Sequence, residues 1–113
     1  MNYDQNNIFA KILRGEIPCK KIYEDDFVLS FHDINPQKKI HALVIPKGQY
    51  IDLDDFSSNA SSEEMIGLLK GINTVAKKLQ ISVDTGKGYR ALTNISEHGG
   101  QEVPHLHFHL FGG

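Results

Sequence analysis

Tryptophan is absent from this chain of 113 residues, and cysteine occurs once, as Cys19. A lone thiol excludes an internal disulfide framework and any CxxC metal or redox motif, and it reads as an incidental side chain. It points to a reducing compartment, so a cytoplasmic location is expected. Long apolar runs are missing too. The longest, Ala42-Leu43-Val44-Ile45, falls far short of the roughly 20 residues that cross a bilayer. The polar start, Met1 to Asn7, lacks the basic and apolar regions of a secretory signal. There is no excess of one charge: 12 basic and 14 acidic side chains leave a net charge of −2. Binding a phosphate backbone needs a basic surplus, so neither nucleic acid nor membrane is an expected partner.

What is present suffices for a core. Hydrophobic residues make up 40% and charged residues 23%, which argues against disorder. The length fits one domain over residues 1–113. Asn7 can cap a short helix over residues 8–14, which Gly15 stops. Residues 21–23 and 27–32 read as a hairpin about Glu24-Asp25-Asp26, and residues 41–45 as a buried strand ended by Pro46. Residues 51–59, acidic and serine-rich, read as a connector. Ser61 with Glu64 fits a capping box that opens a long helix, through residues 62–79, with apolar side chains at helical spacing. Within it Gly67 and Gly71 lie one turn apart on one face. Each costs about 1 kcal/mol against alanine, and either marks a close approach to another element or is simply tolerated. Residues 89–94 and 104–111 are further strands. Gly86-Lys87-Gly88 is a turn, without the spacing of a phosphate-binding P-loop. Two helices among about five strands with hairpin-like connections predict an α+β fold with a mainly antiparallel sheet.

Six histidines stand out: His32, His41, His98, His105, His107 and His109. Side chains on a strand alternate between faces, so His105, His107 and His109 are expected on one face, with Leu106, Phe108 and Leu110 on the other. His32 is assigned to the surface and His98 to a loop without chemistry. Two chemistries suit such a row. Neutral imidazoles bind zinc, but three rings spread along a straight strand do not converge on one ion. Alternatively, one imidazole attacks phosphorus while partly protonated neighbours hold the anion. Imidazole is largely neutral at pH 7 and needs no base to activate it. The upstream loop Glu97-His98-Gly99-Gly100-Gln101 can turn backbone N–H groups toward a phosphate.

The segment His105-Leu106-His107-Phe108-His109-Leu110-Phe111 resembles the motif of the histidine triad (HIT) family: three alternating histidines followed by two apolar residues. The likeness covers nearly the whole chain. Ile8-Phe9-Ala10-Lys11-Ile12-Leu13, Glu16-Ile17-Pro18, Phe31-His32-Asp33-Ile34-Asn35-Pro36, His41-Ala42-Leu43-Val44-Ile45-Pro46-Lys47 and Gly99-Gly100-Gln101-Glu102-Val103 are similar to the histidine triad nucleotide-binding (HINT) branch, in its bacterial form.

The resemblance implies a HIT-like fold whose sheet continues across a homodimer, with the long helix, and so Gly67 and Gly71, at the interface. It implies hydrolysis of purine nucleoside 5′-phosphoramidates or acyl-nucleotidates without a cofactor or metal. His107 would be the nucleophile, transiently nucleotidylated, and His109 would contact the phosphate. His105 and His41 would orient His107 by hydrogen bonds. Asp33 would accept from the ribose hydroxyls. Ile34, Phe31, Ile8, Phe9, Ile12 and Ile17 would line the base pocket. Asn94 would contact phosphate or ribose, and Gly100, Gln101 and Glu102 would surround the phosphate.

Three departures accompany the likeness. Glu102 stands where animal members carry serine, which leaves the proton donor open. The chain stops at Gly113, where relatives continue, so leaving-group selectivity is expected to differ. Pro104 replaces a common tyrosine and, lacking an N–H, predicts an edge or an incompletely paired strand end. Two other readings stand beside the hydrolase: a purine-nucleotide-binding or protein-interaction module with vestigial hydrolysis, and a zinc-dependent hydrolase.

Overall fold

The computed structural model describes residues 2–113. Its elements are α1 (Ile8–Leu13), β1 (Lys21–Glu24), β2 (Val28–His32), β3 (Ile40–Pro46), α2 (Leu53–Asn59), α3 (Ser62–Lys78), β4 (Arg90–Leu92) and β5 (Phe108–Gly112). The strands form one antiparallel sheet in the order β1-β2-β3-β5-β4. This is the α+β, five-stranded architecture that the sequence pattern predicts.

Local chemistry explains most element ends. The Asn7 side chain accepts the Ala10 N–H and starts α1; Arg14 is its C-cap, and Gly15 follows at φ +78°. In the β1–β2 turn, Asp25 Oδ1 accepts from the N–H groups of Phe27 and Val28. Ser61 and Glu64 exchange both bonds of a capping box at the start of α3.

Two stretches differ from the sequence reading. Residues 51–59 are not all connector, because Leu53–Asn59 form α2. Asp52 caps that helix, and its single buried residue, Phe56, packs edge-on against Tyr50 at 5.1 Å. The last strand begins at Phe108 instead of residue 104. Before it, the His105 N–H bonds the Val103 carbonyl and the Leu106 N–H bonds the Tyr50 carbonyl, so the chain turns and ties to the loop after β3 before joining the sheet. Strand β4 is likewise trimmed to three residues.

The sheet has two unlike faces. On one, Val28, Ala42, Val44 and Leu110 meet Leu68, Ile72 and Val75 of α3. Gly67 and Gly71 belong to this packing. A Cβ on Gly67 would stand 2.5 Å from Phe27 Cγ, and one on Gly71 would stand 2.7 Å from Val28 Cγ2. Contacts within one chain therefore account for both glycines. On the other face, Leu29, Phe31, Leu43 and Ile45 cluster with Phe9 of α1. The β3–β5 register sets His41 opposite Phe111 and Leu43 opposite His109. Alternation puts His41 and His109 on that second face, beside the smaller cluster.

Candidate active site

Hydrogen-bond partners determine where each imidazole carries its proton. His105 is fully buried, with Nε2 2.9 Å from the Pro46 carbonyl and Nδ1 2.5 Å from the Tyr3 hydroxyl. A carbonyl only accepts, so Nε2 bears the hydrogen and Nδ1 accepts from tyrosine. His107 Nδ1 lies 2.7 Å from the His105 carbonyl and must be its N–H. His41 Nδ1 accepts the Gln37 N–H at 3.2 Å, which puts the His41 proton on Nε2. That Nε2–H donates to His109 Nδ1 at 2.9 Å, with Asp33 Oδ2 3.4 Å from the same nitrogen. His109 then carries its hydrogen on Nε2. Among the described residues, Ser30 Oγ is the one buried side-chain polar atom without a partner, so the unpaired Nε2 atoms of His107 and His109 are open to solvent. His107 offers a lone pair there and His109 offers an N–H.

The rings are packed, which holds these directions. His107 lies 5.1 Å from His109 and edge-on to Phe9 at 4.9 Å, centroid to centroid. His109 is parallel to Phe111 at 5.7 Å. Thr93 Oγ1 donates to the His107 carbonyl at 2.7 Å. Burial pushes His105 down to about 4. Burial, with His107 and His41 alongside, takes His109 down to about 4. Burial also lowers His107. The expectation of partly protonated neighbours is thus corrected for His105 and His109, which are neutral at pH 7; His109 offers the cleft an N–H dipole in place of a cation, and the His105 N–H is spent on the Pro46 carbonyl.

His107 and His109 open into a cleft of about 190 Å³, and five other predicted residues meet them there: Phe9, Asp33, Asn94, Gly100 and Glu102. Gln37, Leu43 and Val103 also line it and were not among the predicted site residues. Leu43 was open to discovery, since it sits two residues after His41 on the same strand face. Other predicted residues lie elsewhere. Ile34 is 82% exposed and borders an adjoining hollow that shares Asp33 with Lys20 and His32. Phe31 is buried beneath, in the smaller cluster. Ile8 is exposed, while Ile12 and Ile17 are half-buried and off the cleft wall. Gln101 is spent on the backbone: its Nε2 donates to Ile51 and Val103 carbonyls and its Oε1 accepts from Ser96 N–H. The orienting bonds also differ from expectation. His105 holds His107 through its backbone carbonyl and not its ring, and His41 bonds His109 and not His107. For His105 the cause lies in the late start of β5, which takes it off the straight ladder; for His41 it lies in the register, which sets it opposite Phe111 and so diagonally beside His109.

The sequence profile of the HIT domain matches residues 14–113. The chain belongs to the HIT family. A HIT-like protein of Azospirillum brasilense is 54% identical over 111 residues, covering 98% of this chain and 88% of that one. The purine nucleoside phosphoramidase of Escherichia coli K12 is 41% identical over 109 residues, covering 96% and 88%. Among solved structures, a HIT family hydrolase from Clostridium thermocellum superposes with a TM-score of 0.86 at 40% identity, covering 97% of this chain and 92% of that one.

One cluster in this HIT chain brings metal-ligand types together: atoms of Asp33, His41 and His109 lie within 4.8 Å of one another. The donor chemistry does not suit an ion. His41 Nδ1 already accepts a backbone N–H, so metal at Nε2 would require either an imidazolate or loss of the Gln37 bond. The three groups instead form a proton-ordered chain, with His41 donating between the Asp33 carboxylate and His109. No helix among the described residues is long and apolar enough to cross a membrane.

Proposed function

We propose that this HIT-family chain is a hydrolase of the HINT branch that cleaves purine nucleoside 5′-phosphoramidates and acyl-nucleotidates through a nucleotidyl-His107 intermediate. The observation that carries this reading is the free Nε2 lone pair of His107 at the cleft, with its Nδ1–H held by the His105 carbonyl. Burial lowers the pKa of His107, which keeps that lone pair available at neutral pH.

The steps balance as follows. His107 Nε2 forms a bond to the α-phosphorus while the phosphorus–amine bond breaks, and the departing amine takes one proton from solvent. The His105 carbonyl stabilises the positive charge that the ring acquires, through its bond to Nδ1–H. Water then attacks phosphorus and the bond to Nε2 breaks. The monophosphate leaves with the water oxygen, one proton returns to solvent, and His107 is neutral again. In this reading the His109 Nε2–H donates to a phosphoryl oxygen whose charge grows in both steps.

Asp33 sits at the seam of the cleft and the adjoining hollow, where its carboxylate can accept from ribose hydroxyls. The cleft is smaller than the roughly 300–1,000 Å³ of a pocket that engulfs a ligand. It suits the phosphate and ribose, with Asn94, Gly100 and Glu102 around the former, while the base extends toward Ile34 or the α1 side. We place the working protein in the cytoplasm as a homodimer. Ile66 and Leu69 of α3, 54% and 68% exposed, support self-association.

His107→Ala tests the reading. Hydrolysis of an adenosine 5′-phosphoramidate is expected to fall by a factor of about 10³ or more, while AMP binding remains measurable. Equal turnover in both proteins would sink it. A wild-type chain that binds AMP but turns over nothing would point instead to a nucleotide-binding module.

A further inference from the structure

The N-terminal segment reaches the turn before β5 from more than a hundred residues away. We propose that Tyr3 is a positioning residue for the reaction at His107, acting through His105. Its hydroxyl lies 2.5 Å from His105 Nδ1, and the two rings meet edge-on at 5.6 Å. The proposal rests on His107 being the nucleophile, as argued above, and adds a residue outside the histidine motif.

His105 is fully buried, and its two ring nitrogens have one partner each: the Pro46 carbonyl at Nε2 and the Tyr3 hydroxyl at Nδ1. The pair admits one neutral tautomer in one ring orientation. The same residue supplies the carbonyl that holds His107 Nδ1–H at 2.7 Å. The His105 backbone is set in a tight turn by its own N–H to the Val103 carbonyl. Ring, backbone and carbonyl therefore move as one unit. Losing the hydroxyl leaves a buried acceptor unpaired, and the ring gains a reason to flip or protonate. Either change displaces the carbonyl that keeps the His107 lone pair on Nε2.

The strap that delivers Tyr3 is anchored at several points. Asn7 is buried, accepts from Ala10 N–H and donates to the Asp4 carbonyl. Gln5 and Gln49 pair through their side-chain amides at 2.9 and 3.1 Å. Arg14 holds the Gln5 carbonyl. The segment thus docks beside the end of β3 and the loop that follows it, where the Pro46 and Tyr50 carbonyls bond His105 and Leu106. Strap, β3 end and nucleophile are linked through His105 by these bonds.

Tyr3→Phe keeps the ring and removes only the hydroxyl. With an adenosine 5′-phosphoramidate, kcat is expected to fall by about tenfold to a hundredfold, with KM within about threefold of wild type. Nitrogen-15 NMR of the histidine rings supplies a second readout, on protein without substrate. Wild type should show His105 as the Nε2–H tautomer and His107 as Nδ1–H. In the variant both should become mixtures, with the melting transition still cooperative. Unchanged tautomers in Tyr3→Phe would overturn the proposal, and so would altered tautomers with unchanged kcat. If wild type hydrolyses no phosphoramidate, the hydrolase reading fails, and the NMR arm still decides whether Tyr3 controls the His107 tautomer.

Discussion

Acidification from pH 6.5 to 5 should destabilise this protein through its buried imidazoles, before its carboxylates titrate. His105 and His109 fall from an ordinary value of 6.5 to about 4 when the chain folds. Their folded pKa values are depressed, so in this window the unfolded chain binds protons that the folded chain refuses. Stability is complete above about 6.5 and is lost as pH falls toward 4. For His105, sealed in the core, 2.5 pH units correspond to about 3 kcal/mol. His109 is half-open to water, and screening reduces its share to about 1–2 kcal/mol. His107 shifts in the same direction. A loss of about 4–5 kcal/mol from His105 and His109 is large against a total of roughly 5–15 kcal/mol for a domain. Carboxylates such as Glu64, held below the usual range by the Ser61 N–H, begin to cost stability only near the ordinary glutamate value of 4.5, which leaves the interval from pH 6.5 to 5 to the imidazoles. Urea titrations at pH 7, 6 and 5 measure this. Each excluded proton contributes about 1.4 kcal/mol per pH unit, so the midpoint should drop by about 1 M or more between pH 6 and 5. His109→Gln should flatten the slope by about one proton. A midpoint that stays constant from pH 7 to 5 would mean that the folded state accepts these protons, and the tautomer assignments would be wrong.

Two further outcomes follow from the packing and the donor pattern. Gly67→Ala should destabilise by about 1–3 kcal/mol in a urea melt despite alanine's better helix propensity, because the new methyl meets Phe27 near its backbone; a stabilised variant would contradict the close helix–sheet contact. Dialysis against a chelator should leave phosphoramidate turnover unchanged, since His41 Nε2 carries a proton and not a free lone pair. Loss of turnover restored by zinc would overturn that assignment.

How far the sequence reveals this molecule depends on the range of the forces involved. Helix α3 was legible because its cap, Ser61 with Glu64, and its apolar spacing are local. Strands β2 and β3 were legible because nearly every residue in them is buried. Helix α2 was not, since an acidic, serine-rich stretch shows little period and its one buried anchor, Phe56, is held by Tyr50. The late start of β5 was hidden for a similar reason. Pro104 hinted at incomplete pairing, but the bonds that draw the chain aside come from Val103 and Tyr50. The histidine motif located the site. It did not show which nitrogen of each ring is free, because the deciding partners are Tyr3, Gln37 and Pro46, scattered over the chain.

The chemistry proposed for His107 turns on a covalent bond at one nitrogen, Nε2. The most direct measurement is mass spectrometry of the protein quenched during turnover of a slowly cleaved purine nucleoside phosphoramidate, followed by peptide mapping. A single nucleotidyl group is expected on His107, absent in His107→Ala. An adduct on another residue, or active turnover with His107 never modified, would contradict it.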